Sequence, residues 1–139
     1  MTLNANNLTN SGDITGVDSL TLELTGTLNN ARDVSSNALT LKANDVFNHG
    51  MVTGVNGLTF LLGNHLDNQG ALNSHALSIT ANDLTNNGQI SGTRSLQLTL
   101  DGTLTNTGGL TSQQIGVTAE EVLNHGQVLG SDDLQLDSA

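Results

Sequence analysis

Apolar residues two apart, with a polar or small residue between them, recur along the whole chain: Leu20 and Leu22, Leu39 and Leu41, Leu58 and Phe60, Leu77 and Ile79, Leu96 and Leu98, Ile115 and Val117, Leu134 and Leu136. A helix would space its apolar residues three and four apart, so this period of two predicts strands. A second aliphatic series stands two residues before an asparagine (Leu8, Leu28, Val46, Leu66, Leu84, Leu104, Val122), and a third stands four residues after it (Ile14, Val34, Val52, Leu72, Ile90, Leu110, Val128). The asparagines themselves are Asn10, Asn30, Asn48, Asn68, Asn86, Asn106 and Asn124, with gaps that alternate strictly between 20 and 18 residues. Two residues after each comes a glycine, with Arg32 the one departure. The unit therefore reads L-x-N-x-G-x-I … L-x-L.

Self-similarity at a fixed period predicts a solenoid. Strands that recur once per unit and stack on their own counterparts must run parallel, because each connection returns the chain in the same direction. The crossover rule makes the expected fold a right-handed parallel β-helix. The expectation is all-β, a single segment over residues 1–139 with about seven coils, alternately of 20 and 18 residues. Strands about 4.8 Å apart would give a rod of ~35 Å. One coil inserts roughly five aliphatic side chains at about 2 kcal/mol each, less than the cost of ordering its residues, so only stacked coils are stable.

The alternation has a local cause. Long coils run G-x-x-x-L-x-L-x-L-x-G/N-x-L, as in Gly16 to Leu28, Gly54 to Leu66 and Gly92 to Leu104. Short coils carry Ser36, Ser74 or Ser112 at the turn, lose one residue before the apolar pair, and close on Ala43-Asn44-Asp45-Val46, Ala81-Asn82-Asp83-Leu84 or Ala119-Glu120-Glu121-Val122. Leu24, Leu62 and Leu100 thus alternate with Ala43, Ala81 and Ala119, large against small, as interdigitated packing requires. Asn64 stands where Gly26 and Gly102 stand, which predicts a left-handed backbone there.

Composition narrows the picture. The chain has no Trp, Tyr, Cys or Pro and two Phe, so its core must be aliphatic and thin, and thiolate or disulfide chemistry is excluded. Thirteen acids against three bases give a formal charge of −10, which opposes nucleic acid and anionic membranes as partners. No targeting segment is visible. The pattern is already under way at Leu3, and Leu3 to Leu8 match Leu41 to Val46, so a piece of a longer chain is expected.

Alternation from the preceding aliphatic turns the asparagine column inward at a bend, where each amide can bond the next and nearby backbone groups. A structural ladder is expected of Asn10, Asn30, Asn48, Asn68, Asn86, Asn106 and Asn124. His49 and His125 share a register but lie four coils apart, ~19 Å by strand spacing, and cannot share an ion. His65 and His75 sit in different turns, with no carboxylate partner in the pattern. No calcium-binding nonapeptide run of the G-G-x-G-x-D type occurs, so neither metal nor cofactor is expected. A glycan-active enzyme would need clustered acids beside a base and aromatic surface, whereas Arg32 adjoins Asp33 and Lys42 and Arg94 stand apart. Catalytic residues are therefore not expected. Thr21, Thr40 and Thr59 share an outward register that breaks at Ser78, Gln97, Gly116 and Gln135, which marks them as strand formers.

Leu8 to Leu22 (LTNSGDITGVDSLTL) and Leu84 to Leu98 (LTNNGQISGTRSLQL) resemble the repeats of filamentous haemagglutinins, which also occur in contact-dependent growth inhibition effectors of Gram-negative bacteria. The resemblance covers essentially the whole chain. It implies a β-helical shaft segment of a secreted, cell-surface exoprotein. It further implies export through an outer-membrane two-partner-secretion transporter and projection of adhesive, receptor-binding or toxin regions toward a host or neighbouring cell. The alternative is that the segment itself binds a receptor, through the outward Phe47, His49, Leu123 and His125. Cut ends with unpaired strand edges also predict end-to-end self-association.

Overall fold

The computed structural model describes residues 1–138 and contains strands throughout, with no helix among them. The strands are β1 (Thr2–Ala5), β2 (Leu8–Asn10), β3 (Asp13–Thr15), β4 (Ser19–Leu24), β5 (Thr27–Asn30), β6 (Asp33–Asn48) and β7 (Met51–Asn68). They continue with β8 (Ala71–Ala81), β9 (Asp83–Asn86), β10 (Gln89–Leu100), β11 (Thr103–Asn106), β12 (Gly109–Ala119), β13 (Glu121–Asn124) and β14 (Gln127–Ser138). Every pairing is parallel and joins a residue to its counterpart one coil on, as in Leu20 to Leu39, Leu39 to Leu58 and Leu58 to Leu77. The chain is a β-solenoid of stacked coils, as its period predicts.

Each coil has three sides, carrying the L-x-N strand, the strand after the glycine and the L-x-L strand. Long strands such as β6 and β7 bend round the corners without losing their pairing. The side chains that alternate inward form one continuous core from Leu20 to Ala119, with Phe60 its largest fully buried member. Successive coils bury one another's aliphatic faces, which is why the terminal Leu3, Leu8, Ile14, Val122 and Val128 are only partly covered.

The structure places the two extra residues of a long coil at two different corners. One lies in the turn before the apolar pair, where Gly54 and Gly57 of the long coil face Ser36 and Ala38 of the short one. The other lies after the L-x-L strand, where Leu62 to His65 spans the same corner as Ala43 to Asp45. Leu62 pairs with Ala43, and Leu100 with Ala81, and all four are at least nine-tenths buried. Large and small side chains therefore share that corner in alternate layers.

The left-handed backbone expected at Gly26, Asn64 and Gly102 is absent: no described residue, glycine included, has positive φ. Space is the reason for the two glycines. A Cβ on Gly26 would lie 2.3 Å from Asn7 Oδ1, and one on Gly102 2.4 Å from Asp83 Oδ1. Asn64 instead turns its amide toward the acid below it, donating from Nδ2 to Asp45 Oδ1 at 2.9 Å.

Candidate functional site

The asparagines form an unbroken column of amides inside one corner. Asn30, Asn48, Asn68, Asn86 and Asn106 are essentially inaccessible to solvent, and Asn10 nearly so, whereas Asn124 in the last coil is exposed. Each Nδ2 donates to the Oδ1 of the next asparagine toward the C-terminus. The distances are 2.8 Å for Asn10 to Asn30, Asn30 to Asn48, Asn48 to Asn68 and Asn68 to Asn86, and 2.9 Å for the two that follow, ending at Asn124. All the amides point the same way.

The second proton of each amide has main-chain acceptors at the bend. Asn48 Nδ2 lies 3.1 Å from Gly50 O in its own coil and 3.2 Å from Ala71 O in the next, and Asn86 lies 3.2 Å from Gly88 O and 3.1 Å from Gly109 O. An amide nitrogen has two protons and its oxygen two lone pairs, so a ladder with these bends satisfies the polar atoms it buries. The asparagine's own carbonyl is used as well. His49 and Gly50 both donate their N–H groups to Asn30 O, at 2.8 and 3.2 Å, and Gln69 and Gly70 do the same to Asn48 O.

This turn explains the glycine column. A Cβ on Gly70 would lie 2.0 Å from Gly50 O, and one on Gly108 1.9 Å from Gly88 O, because the carbonyl one coil below occupies that space. Arg32 takes the glycine's place in one coil, and its carbonyl still accepts Asn30 Nδ2 at 2.8 Å and the Met51 N–H at 2.9 Å.

A second set of side chains works at the corner where long and short coils differ, and the sequence pattern did not single it out. Asn7, Asp45 and Asp83 use Oδ1 to accept the main-chain N–H of Thr27, His65 and Thr103, at 2.9, 3.2 and 2.8 Å. Each bond crosses from a short-coil corner to the coil above, beside the register shift between Ala43 and Asp45. The signal was the D/N in the closing A-N-D-V/L of short coils. Its partner is 20 residues away and carries no distinctive side chain.

His65 does have carboxylate neighbours, contrary to the expectation, because the strand register sets it between Asp45 and Asp83 of the adjoining coils. Asp45 is engaged with the main chain there, and among the described residues no group of three or more His, Asp or Glu could hold a metal ion. Lys42, which stands apart in sequence, is the register neighbour of Glu23. His49 and His125 are exposed in separate coils, while Phe47 is half-buried and Leu123 is 43% exposed. The outward threonines stack as Thr21, Thr40 and Thr59, then continue into Ser78 and Gln97. Reactive groups are thus dispersed over the surface, and the organised polar array is the internal one.

No family model, curated protein or solved structure matches this chain. The fold and the ladder define it as a parallel β-solenoid with an internal asparagine spine.

Proposed function

We propose that this segment is a shaft: a β-helical spacer in a secreted, cell-surface exoprotein of the filamentous haemagglutinin type. In this reading an outer-membrane two-partner-secretion transporter exports the parent protein. The shaft then holds an adhesive, receptor-binding or toxin region at a distance from the bacterium, for adhesion or contact-dependent growth inhibition. The observation that carries it is the continuity of the ladder, in which six amide–amide bonds run from Asn10 to Asn124 without a break. Such a column penalises any bend, because opening one joint would leave a buried amide unpaired at about 1–3 kcal/mol per group. Stiffness along the axis is what a spacer supplies.

The test is a binding assay with the purified segment on inert beads, presented to host cells and to Gram-negative target cells. A spacer leaves the beads unretained. Saturable retention, lost when Phe47, His49, Leu123 and His125 are replaced by serine, would overturn the spacer reading and assign binding to that outward column.

A further inference from the structure

We propose that Asn56–Gly57 is a site of spontaneous covalent modification, where the folded chain deamidates to isoaspartate and aspartate, while the ladder corner protects Asn87–Gly88 from the same reaction. Of the chain's asparagines only these two precede a glycine. A following glycine favours the reaction because its backbone turns freely and no side chain hinders the approach of its nitrogen. The main-chain nitrogen of Gly57, deprotonated by hydroxide, attacks Asn56 Cγ. The new N–Cγ bond closes a cyclic succinimide, and the Cγ–Nδ2 bond breaks with release of ammonia. Water then opens the ring at Cγ, leaving aspartate, or at the Asn56 carbonyl carbon, leaving isoaspartate with the chain running through Cγ. Water is the only co-reactant, and each event adds one negative charge to the formal −10.

The two sites differ in how firmly the starting amide is held. Asn87 Oδ1 accepts the Thr107 hydroxyl, and the N–H groups of Asn87 and Gly88 both donate to Asn68 O, at 2.8 and 3.1 Å. Gly88 O in turn accepts Asn86 Nδ2 at 3.2 Å and the Gly109 N–H at 3.0 Å. Ring closure there has to break into the ladder. Asn56 is exposed, and its carboxamide makes no hydrogen bond among the described residues. It stands in a bulge, where Val55 and Asn56 together face the single Asn37 of the coil below and the single His75 of the coil above. A Cβ placed on Gly57 would meet nothing within 4 Å, so the ring has room to form. Asp101–Gly102, the one aspartate–glycine pair, could isomerise through the same succinimide, but its Gly102 N–H is held by Asn82 O at 2.7 Å.

The bulge also lets the fold survive the product. Isoaspartate lengthens the main chain by one atom. Between Gly54 and Gly57 the long coil already carries one residue more than the short coil does between Ser36 and Ala38, and the strands re-enter register at Leu58 and Leu39. The same insertion at Asn87 would pull Gly88 O away from Asn86 Nδ2.

The test compares the two asparagines within one molecule. The whole chain is incubated in warm, mildly alkaline buffer, then sampled by peptide mass mapping and by enzymatic methylation of isoaspartyl carboxylates. Folded, Asn56 should convert on the order of tenfold faster than Asn87, a factor set by the hydrogen bonds that hold the second site. In concentrated urea the two rates should become similar. Gly57→Ala, which gives Gly57 the side chain of its register partners Ala38 and Ala76, should suppress conversion at Asn56. Thr107→Ala should speed Asn87 severalfold and leave Asn56 unchanged. Converted chains, separated by anion exchange, should keep their circular dichroism and their urea midpoint. Equal rates in the folded chain, or an intact Asn56 where urea-treated chains react, would overturn the assignment. A lowered midpoint after conversion would overturn the tolerance of the bulge.

Discussion

Two corners of the same coil solve the same problem differently. At the ladder corner every coil is alike: one asparagine, one bend, one carbonyl beneath the next turn. At the corner after the L-x-L strand no coil resembles its neighbour, and Leu alternates with Ala while Asn7, Asp45 and Asp83 bond upward from alternate layers only. The first corner buries its polar atoms completely and so depends on a chain of partners. The second leaves its polar side chains near water and depends on volume. A polar group is costly to strand only where water cannot replace its partner.

Substitutions at the two corners should therefore differ in size. Asn68→Leu should be the most damaging, because it leaves Asn48 Nδ2 without its amide acceptor and Asn86 Oδ1 without its donor. Two stranded groups at about 1–3 kcal/mol each predict a loss near 4 kcal/mol, read from the shift of a urea unfolding curve. Gly88→Ala should follow at about 2–3 kcal/mol, since its Cβ would lie 2.0 Å from Gly70 O and only backbone movement can relieve it. At the opposite corner, Ala81→Leu sets three leucines in succession and should cost about 1–3 kcal/mol by overpacking. Combining it with Leu62→Ala conserves the local volume, and the pair should lose less than the sum of the single changes.

Smaller effects sharpen the contrast. Asp83→Ala should cost about 1 kcal/mol through the lost bond to the Thr103 N–H, and Asp83→Asn should be close to neutral because Asn7 already makes that bond with an amide oxygen. Gln113→Ala, at an exposed position of β12 beside the register shift between Ser112 and Gln114, should stay within about 0.5 kcal/mol. Equal losses for Asn68→Leu and Gln113→Ala would mean that the ladder contributes nothing to stability.

The difference between the corners also sets what could be read from residues alone. The strands, their parallel stacking and the inward turn of the asparagine column all follow from periodicity, because identical layers repeat the same signal. What alternates was harder to read. The bonds from Asn7, Asp45 and Asp83 join unlike layers, so the donor is a main-chain group with no residue type to announce it. Gly26 and Gly102 suggested backbone freedom, whereas they answer to the oxygen atoms of Asn7 and Asp83. His65 looked solitary because its acidic neighbours lie a whole coil away in each direction.

The unequal corner also governs how such a rod can change length. Removing one coil would bring two layers of the same kind face to face, doubling leucine at one level or leaving a void between alanines at another, and would shift the upward bonds out of phase. Removing or duplicating two together restores every contact. Unequal recombination between repeats would thus be filtered by packing toward even steps, and descendants of this rod should differ in reach by multiples of roughly 10 Å, the height of two strands.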